Sequence, residues 1–121
     1  MVEEMAGSPE HFSAATEPEG DATAVRLHGE LDMAGTFLLE PRLDEVVDDP
    51  PDGGVVFDLR GLTFVDSTGL ATLVGAHERL VGAGVPTRFI RGSDDVQRIF
   101  SMAGFDGVLP FADAPADEPG G

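Results

Sequence analysis

The chain alternates between short apolar segments typical of strands and longer segments in which apolar residues recur at helical spacing. In the segment 22–28, Val25 and Leu27 alternate with other residues, which predicts a strand with one covered face. The run 55–59 is apolar except for Asp58, as expected for a central strand covered on both faces. Weaker patterns predict three further strands, at 11–16, 86–91 and 108–111.

The segment 34–47 carries an apolar stripe that predicts a helix, and Asp32 precedes it in the position of an N-cap. Pro41 lies within this stripe, and a proline deep inside a helix costs about 3 kcal/mol. Either the helix is kinked at Pro41, or its well-formed part begins near Glu40 with the proline at its first position.

Two more helices follow from the same periodicity. From Leu70 onwards, apolar residues recur every three or four positions up to the glycines at 82–84, which predicts a long amphipathic helix. A third helix is expected to begin at 93–95 and to end at Gly104.

Strands that alternate with helices predict an α/β fold, with a mixed sheet of four to five strands and helices packed on it. Residues 10–111 form the expected single domain. The segments 1–9 and 112–121 are acidic and poor in large apolar residues, so both are expected to be disordered tails.

The excess of acidic over basic residues limits the classes of molecule that the protein is expected to bind. The 121 residues include 23 acidic and seven basic side chains, a formal net charge of −16. This charge opposes binding to nucleic acid or anionic lipid and favours a partner with a basic surface. No segment has the signature of a secretion signal or a membrane span, and there is no cysteine, so we expect a cytoplasmic protein.

The composition also limits the possible chemistry. All seven basic residues are arginine, so no lysine is available for a Schiff base or a phosphate-binding loop. The histidines are His11, His28 and His77, and no two of them are spaced as metal ligands along the chain. His77 lies on an apolar stripe, which indicates a residue at the edge of the core. We therefore predict no catalytic residue, no metal site and no cofactor.

The junction 64–70 carries the most specific signal. The sequence Phe-Val-Asp-Ser-Thr-Gly-Leu places Ser67 where a strand gives way to the first turn of a helix. Backbone N–H groups in a first turn lack partners within the helix, and the helix dipole there favours negative charge. A hydroxyl at this position either caps the helix or carries a phosphate.

This junction, together with the Gly-Glu-Leu-Asp sequence at 29–32 and the apolar strand at 55–59, resembles the STAS domain of bacterial anti-sigma factor antagonists. The resemblance spans about residues 12–111, with Pro41 as a departure from the family's regular first helix. It implies that Ser67 is phosphorylated by an anti-sigma factor that is also a serine kinase, and that a serine phosphatase reverses this. It further implies a partner-binding surface made of Asp32, Asp66, Ser67, Thr68, Gly69 and Leu70.

On this interpretation the protein is a regulatory switch and not an enzyme, and it is a monomer or a weak dimer. When Ser67 is unphosphorylated, it sequesters the anti-sigma factor and frees a sigma factor for transcription, for example in a stress response or in sporulation. Two alternatives remain open. One is a STAS module with a partner outside sigma control, and the other is a small nucleotide-binding or nucleotide-hydrolysing protein. Asp32 either caps the first helix or contacts the partner.

Overall fold

A computed structural model describes residues 5–6, 11–105 and 107–113 of the chain. Within these residues it forms six strands and three helices in a single α/β domain. In chain order they are β1 (Met5–Ala6), β2 (Phe12–Glu19), β3 (Ala22–Leu31), α1 (Met33–Asp48), β4 (Val55–Val65), α2 (Ser67–Gly82), β5 (Thr87–Ile90), α3 (Asp94–Met102) and β6 (Phe111–Ala112).

The strands form one mixed sheet in the order β1-β2-β3-β4-β5-β6. The pairs β1/β2 and β2/β3 are antiparallel, whereas β3/β4, β4/β5 and β5/β6 are parallel. The predicted α/β class and mixed sheet are confirmed. The sheet has one strand more than the five predicted at most, because β1, a two-residue strand at one edge, is too short for the sequence pattern to detect. Strand β6, at the other edge, overlaps the end of the strand predicted at 108–111.

The helices bury their apolar sides against one face of the sheet. Side chains from alternate positions of the central strands join those of all three helices in one buried cluster. Near its centre Phe57 of β4 stacks on Phe89 of β5, with ring centroids 4.8 Å apart. On α1 the buried residues include Leu39 and Leu43, and on α3 they include Phe100.

Helix α1 is continuous from Met33 to Asp48 with Pro41 inside it. The alternative in which the well-formed helix begins near Glu40 is therefore wrong. Pro41 is exposed, whereas Leu39 and Leu43 on either side of it are buried. Burial of those leucines offsets the cost of an exposed proline inside the helix.

Several elements extend beyond the limits predicted for them. Strand β4 continues past Leu59 to Val65, although Arg60 and Gly61 interrupt its apolar pattern. Helix α2 begins at Ser67, which was predicted to lie in its first turn, although the apolar periodicity of the helix starts only at Leu70.

A few residues of the two segments predicted to be disordered tails belong to the sheet. Met5 and Ala6, inside the segment predicted as the first tail, pair with Ala15 and Ala14 of β2. Ala112, the first residue of the second predicted tail, pairs with Ile90. These residues are therefore part of the sheet, and the other residues of both tails, except Asp113, lie outside the described part of the chain.

The described helices can be compared with the requirements of a membrane span. None of them is both long enough and apolar enough to cross a lipid bilayer.

The sheet face opposite the helices carries an ion-pair network centred on Asp58 of β4. The Asp58 carboxylate accepts hydrogen bonds from Arg26 Nη1 at 2.6 Å and from Arg60 Nε and Nη2 at 2.9 and 2.8 Å. Glu17 and Glu19 of β2 also pair with Arg26. Burial of Asp58 raises its pKa, but the hydrogen bonds and charges of Arg60 and Arg26 outweigh burial, so the pKa lies below its ordinary value.

We predict that Asp58→Asn lowers the free energy of unfolding at pH 7 by about 2–4 kcal/mol, because it removes a buried charge shared by two arginines. Asp44→Asn is the matched control, since Asp44 pairs with Arg79 on the surface. It should cost less than about 1 kcal/mol. Urea unfolding of both variants measures the difference, and equal losses would contradict a central role for Asp58.

The stabilisation that Asp58 provides should decrease as the pH falls. Because the pKa of folded Asp58 is lowered, its contribution is complete above the unfolded pKa of about 4 and is lost as the pH falls through the lower folded value. Unfolding at pH 7 and at pH 3 should therefore show a smaller difference in Asp58→Asn than in the wild type.

Candidate functional site

The central strands β3 and β4 end side by side at the same end of the sheet, and each is followed by an aspartate at the start of a helix. Leu31, the last residue of β3, pairs with Val65, the last residue of β4. Asp32 and Asp66 come next, and the backbone N–H of Asp66 donates to the carbonyl of Leu31 at 3.1 Å. The two aspartates therefore lie close together at the carboxyl ends of adjacent parallel strands.

Each aspartate caps its helix in the same way. Asp32 Oδ1 accepts from the backbone N–H of Gly35 at 3.0 Å, and Asp66 Oδ1 accepts from that of Gly69 at 2.9 Å. The hydrogen bond from Gly35, and after it the one with His11, holds the pKa of Asp32 below its usual range. Capping by Asp32 was one of the two roles predicted for it, and the other, contact with a partner, remains a prediction.

Ser67 is the first residue of α2, and it is exposed. Of the two roles open to this hydroxyl, capping belongs instead to Asp66, which precedes it. The Ser67 side chain therefore lies on the surface at the positive end of a helix dipole, where a negatively charged group is favoured.

The other residues predicted to contact a partner differ in exposure. Asp32, Asp66 and Thr68 are half-buried, whereas Gly69 and Leu70 are buried. A Cβ atom on Gly69 would lie 2.4 Å from the carbonyl oxygen of Leu31, so glycine permits α2 to approach β3. Leu70 is 6% exposed and belongs to the core. Both residues therefore contribute to packing, and their predicted contact with a partner remains a prediction.

A groove of about 610 Å³ lies between α1 and α2 beside Ser67. Small and polar side chains contribute to its walls, among them Thr68 and Thr72 of α2 and Thr36 of α1. The Thr36 hydroxyl is buried and has no hydrogen-bond partner within the described part of the chain.

Exposed apolar side chains lie near the two capping aspartates. Met33 follows Asp32 directly and is 60% exposed, and Phe37, one turn further along α1, is 72% exposed. Phe64, two residues before Asp66, is 44% exposed. The sequence analysis missed these residues, although Met33 and Phe37 are four positions apart and lie off the Leu39–Leu43 stripe, a spacing that indicates a second apolar helix face.

His11 also lies at this end of the sheet, although it is 21 positions before Asp32 in the sequence. Its Nε2 is 3.1 Å from Asp32, and its Nδ1 is 3.8 Å from Glu30. Among the described residues, these three side chains form a group whose candidate metal-ligand atoms all lie within 4.8 Å of one another. Spacing along the chain does not indicate this group, because it forms only when β2 pairs with β3.

His77 lies away from this end of the sheet, on α2. Its ring is half-buried, and its centroid is 6.1 Å from that of Phe89 in an edge-on contact. The position agrees with the predicted role of His77 at the edge of the core.

Comparison with known proteins relates this chain to one family of domains. The sequence model of the STAS domain matches residues 13–117. An anti-sigma F factor antagonist of Paenibacillus polymyxa is 28% identical over 89 residues, which are 74% of this chain and 76% of that protein.

Solved structures agree with this match. An anti-sigma factor antagonist from Mycobacterium paratuberculosis superposes with a TM-score of 0.79 and 26% identity over 92% of each chain. The phosphorylated form of SpoIIAA, a Bacillus cell fate determinant, has a TM-score of 0.67 at 20% identity over 86% of this chain and 93% of its own, a likeness of fold. The family match covers most of the chain and the fold agrees with it, so the protein belongs to the STAS domain family.

Proposed function

We propose that the protein is an anti-sigma factor antagonist whose binding to a kinase-type anti-sigma factor is switched by phosphorylation of Ser67. The observation that carries this proposal is the exposed Ser67 hydroxyl at the first position of α2, with Asp66 supplying the cap. The hydroxyl is accessible to a kinase, and its modification leaves the capping hydrogen bond from Gly69 to Asp66 in place.

The relatives support the class of partner. Two of the proteins to which this chain is similar are anti-sigma factor antagonists, and a structural neighbour, SpoIIAA, exists in a phosphorylated form. The sequence Asp-Ser-Thr-Gly-Leu at 66–70 lies at the helix start where the family resemblance places the phosphoacceptor. A serine phosphatase returns the protein to its binding form, and the protein acts in the cytoplasm without catalysing a reaction itself.

The charges explain how one modification switches binding. A phosphate on Ser67 adds between about 1.5 and 2 negative charges beside Asp66 and Asp32. A partner surface fitted to a neutral hydroxyl would bury this dianion without matching hydrogen bonds, which is strongly unfavourable. The first turn of α2 provides N–H groups and a favourable dipole, so the phosphate can be accommodated locally. Phosphorylation then blocks the interface without refolding the domain.

The exposed apolar side chains beside the aspartates suggest how affinity arises. Phe37 and Met33 present apolar area on α1 next to the acidic end of the sheet. Interfaces combine an apolar centre with a polar rim, and aromatic residues are common among those that contribute most. The partner surface should therefore combine an apolar pocket with basic residues around it.

The site of modification can be tested directly. The partner kinase with ATP should phosphorylate Ser67, because it is exposed at the start of α2, whereas Thr68 is half-buried. Peptide mapping by mass spectrometry should place one phosphate on Ser67 in the wild type and in Thr68→Ala. A phosphate on Thr68 or Ser93 would contradict the assignment.

A reaction without the kinase separates this function from a nucleotide-hydrolysing one. The protein with ATP alone should neither turn over nucleotide nor modify itself.

Substitutions of Ser67 test the electrostatic part of the proposal. Ser67→Asp should weaken anti-sigma factor binding by about tenfold or more, equivalent to about 1.4 kcal/mol, because it places an anion in the interface. Ser67→Ala should keep the wild-type affinity and lose the response to kinase. Because Asp66 supplies the cap, the alanine variant should lose no more than about 0.5 kcal/mol of stability. Titration calorimetry measures the affinities, and equal values for the two variants would contradict the mechanism.

The apolar contact has its own test. Phe37→Ala should weaken binding to the anti-sigma factor by about tenfold or more, as expected for an aromatic residue near the centre of an interface. Met102→Ala is the matched control, since Met102 is an exposed apolar residue at the end of α3. The control should bind like the wild type. If both variants bind equally, Phe37 is not part of the interface.

A further inference from the structure

Three side chains from three separate parts of the fold meet at the carboxyl end of β3. His11 precedes β2, Glu30 lies in β3, and Asp32 is the N-cap of α1. One candidate ligand atom from each lies within 4.8 Å of the others. We propose that His11, Glu30 and Asp32 form a binding site for a divalent first-row transition metal ion of the zinc type.

The backbone fixes these residues relative to one another. The N–H of Glu30 donates to the carbonyl oxygen of His11 at 2.8 Å. Gly29 has a φ of 92°, and a Cβ atom on it would lie 2.1 Å from the same oxygen. Only glycine permits this approach, so the segment before β2 is held close to the end of β3. Asp32 is held in turn by its hydrogen bond from Gly35.

The distances suit a shared ion. His11 Nε2 lies 3.1 Å from the Asp32 carboxylate. Two ligands at about 2.0–2.2 Å from one metal ion, with the angles of tetrahedral or octahedral sites, are about 3.0–3.5 Å apart. His11 Nε2 is equally close to both oxygens of the Asp32 carboxylate, and Oδ1 also accepts the capping hydrogen bond from Gly35, so Oδ2 is the oxygen left for the ion.

Glu30 is the third protein ligand of the proposed site, although its carboxylate lies beside Nδ1 of His11, at 3.8 Å, and not beside Nε2. Its side chain is 55% exposed, so it can rotate to bring a carboxylate oxygen to the ion. The side chains of His11 and Asp32 are 40% and 30% exposed. An ion can therefore enter from solvent, and water molecules can fill its remaining coordination positions.

The chemistry of the donors selects the class of ion. One imidazole nitrogen with two carboxylates suits zinc, cobalt or nickel, whereas magnesium and calcium prefer ligand sets made of oxygen. Two carboxylates balance the charge of a divalent ion, and the net charge of −16 attracts cations to the whole molecule. The N-terminus of α1 opposes a cation in part, and the two nearby carboxylates outweigh it. The inference does not depend on phosphorylation of Ser67.

Zinc titration of the full-length protein in a non-coordinating buffer tests the site. Calorimetry should show one site that is weakened by about tenfold or more in His11→Asn, since loss of a ligand costs at least as much as loss of a group that orients one. Glu30→Gln should weaken it as well. His28→Asn is the matched control, because His28 is an exposed histidine on β3 that is not part of the proposed site. It should bind zinc like the wild type, and magnesium should show no binding that depends on His11.

A second measurement on the wild type locates the ion without any variant. Addition of cobalt should shift or broaden amide signals most strongly at 11–12 and 29–35. Equal zinc affinity in the wild type and His11→Asn would overturn the proposal. So would cobalt effects centred on another acidic segment, such as 44–52.

Discussion

The carboxyl end of the sheet is governed by one constraint, the close approach of α2 to the backbone of β3. Gly69 faces the carbonyl of Leu31 at a distance that leaves no room for a side chain, and the N–H of Asp66 donates to that same carbonyl. This contact fixes where α2 begins, and with it the exposed position of Ser67. It also brings Asp32 and Asp66, the N-caps of α1 and α2, close together. The acidic character of this end of the sheet therefore follows from backbone packing.

Within 66–69, Asp66 and Gly69 together form the start of α2, so the Ser67 hydroxyl is not required there and remains exposed. Asp66 satisfies an N–H of the first turn, and Gly69 supplies both that N–H and the space for the turn. Ser67 is needed for neither task. The Ser67 hydroxyl can therefore be exposed at a helix start without supporting the helix, so the proposed modification of Ser67 is separate from folding stability.

Much of the fold could be predicted from the sequence because the relevant patterns are local. The alternation of strands and helices, the cap at Asp32 and the start of a helix beside Ser67 each depend on neighbouring residues. Pro41 could not be interpreted locally, since burial of the leucines on either side decides whether the helix continues. Strand β4 was predicted too short because Arg60 and Gly61 interrupt its apolar pattern, and the pairing of Arg60 with Asp58, which also binds Arg26 of β3, is visible only in the folded sheet. The group formed by His11 likewise depends on strand pairing, which periodicity does not reveal.

The two edge strands limit how this domain can assemble with others. Strands β1 and β6 have two residues each, and Pro18 lies in the part of β2 that β1 does not cover. Short edges and proline discourage an incoming chain from extending a sheet by main-chain hydrogen bonds. Recognition by strand addition, a common route for proteins with open sheets, is therefore disfavoured along the described edges. Along the same described edges, this feature disfavours edge-to-edge aggregation, while the side chains on the surface remain accessible.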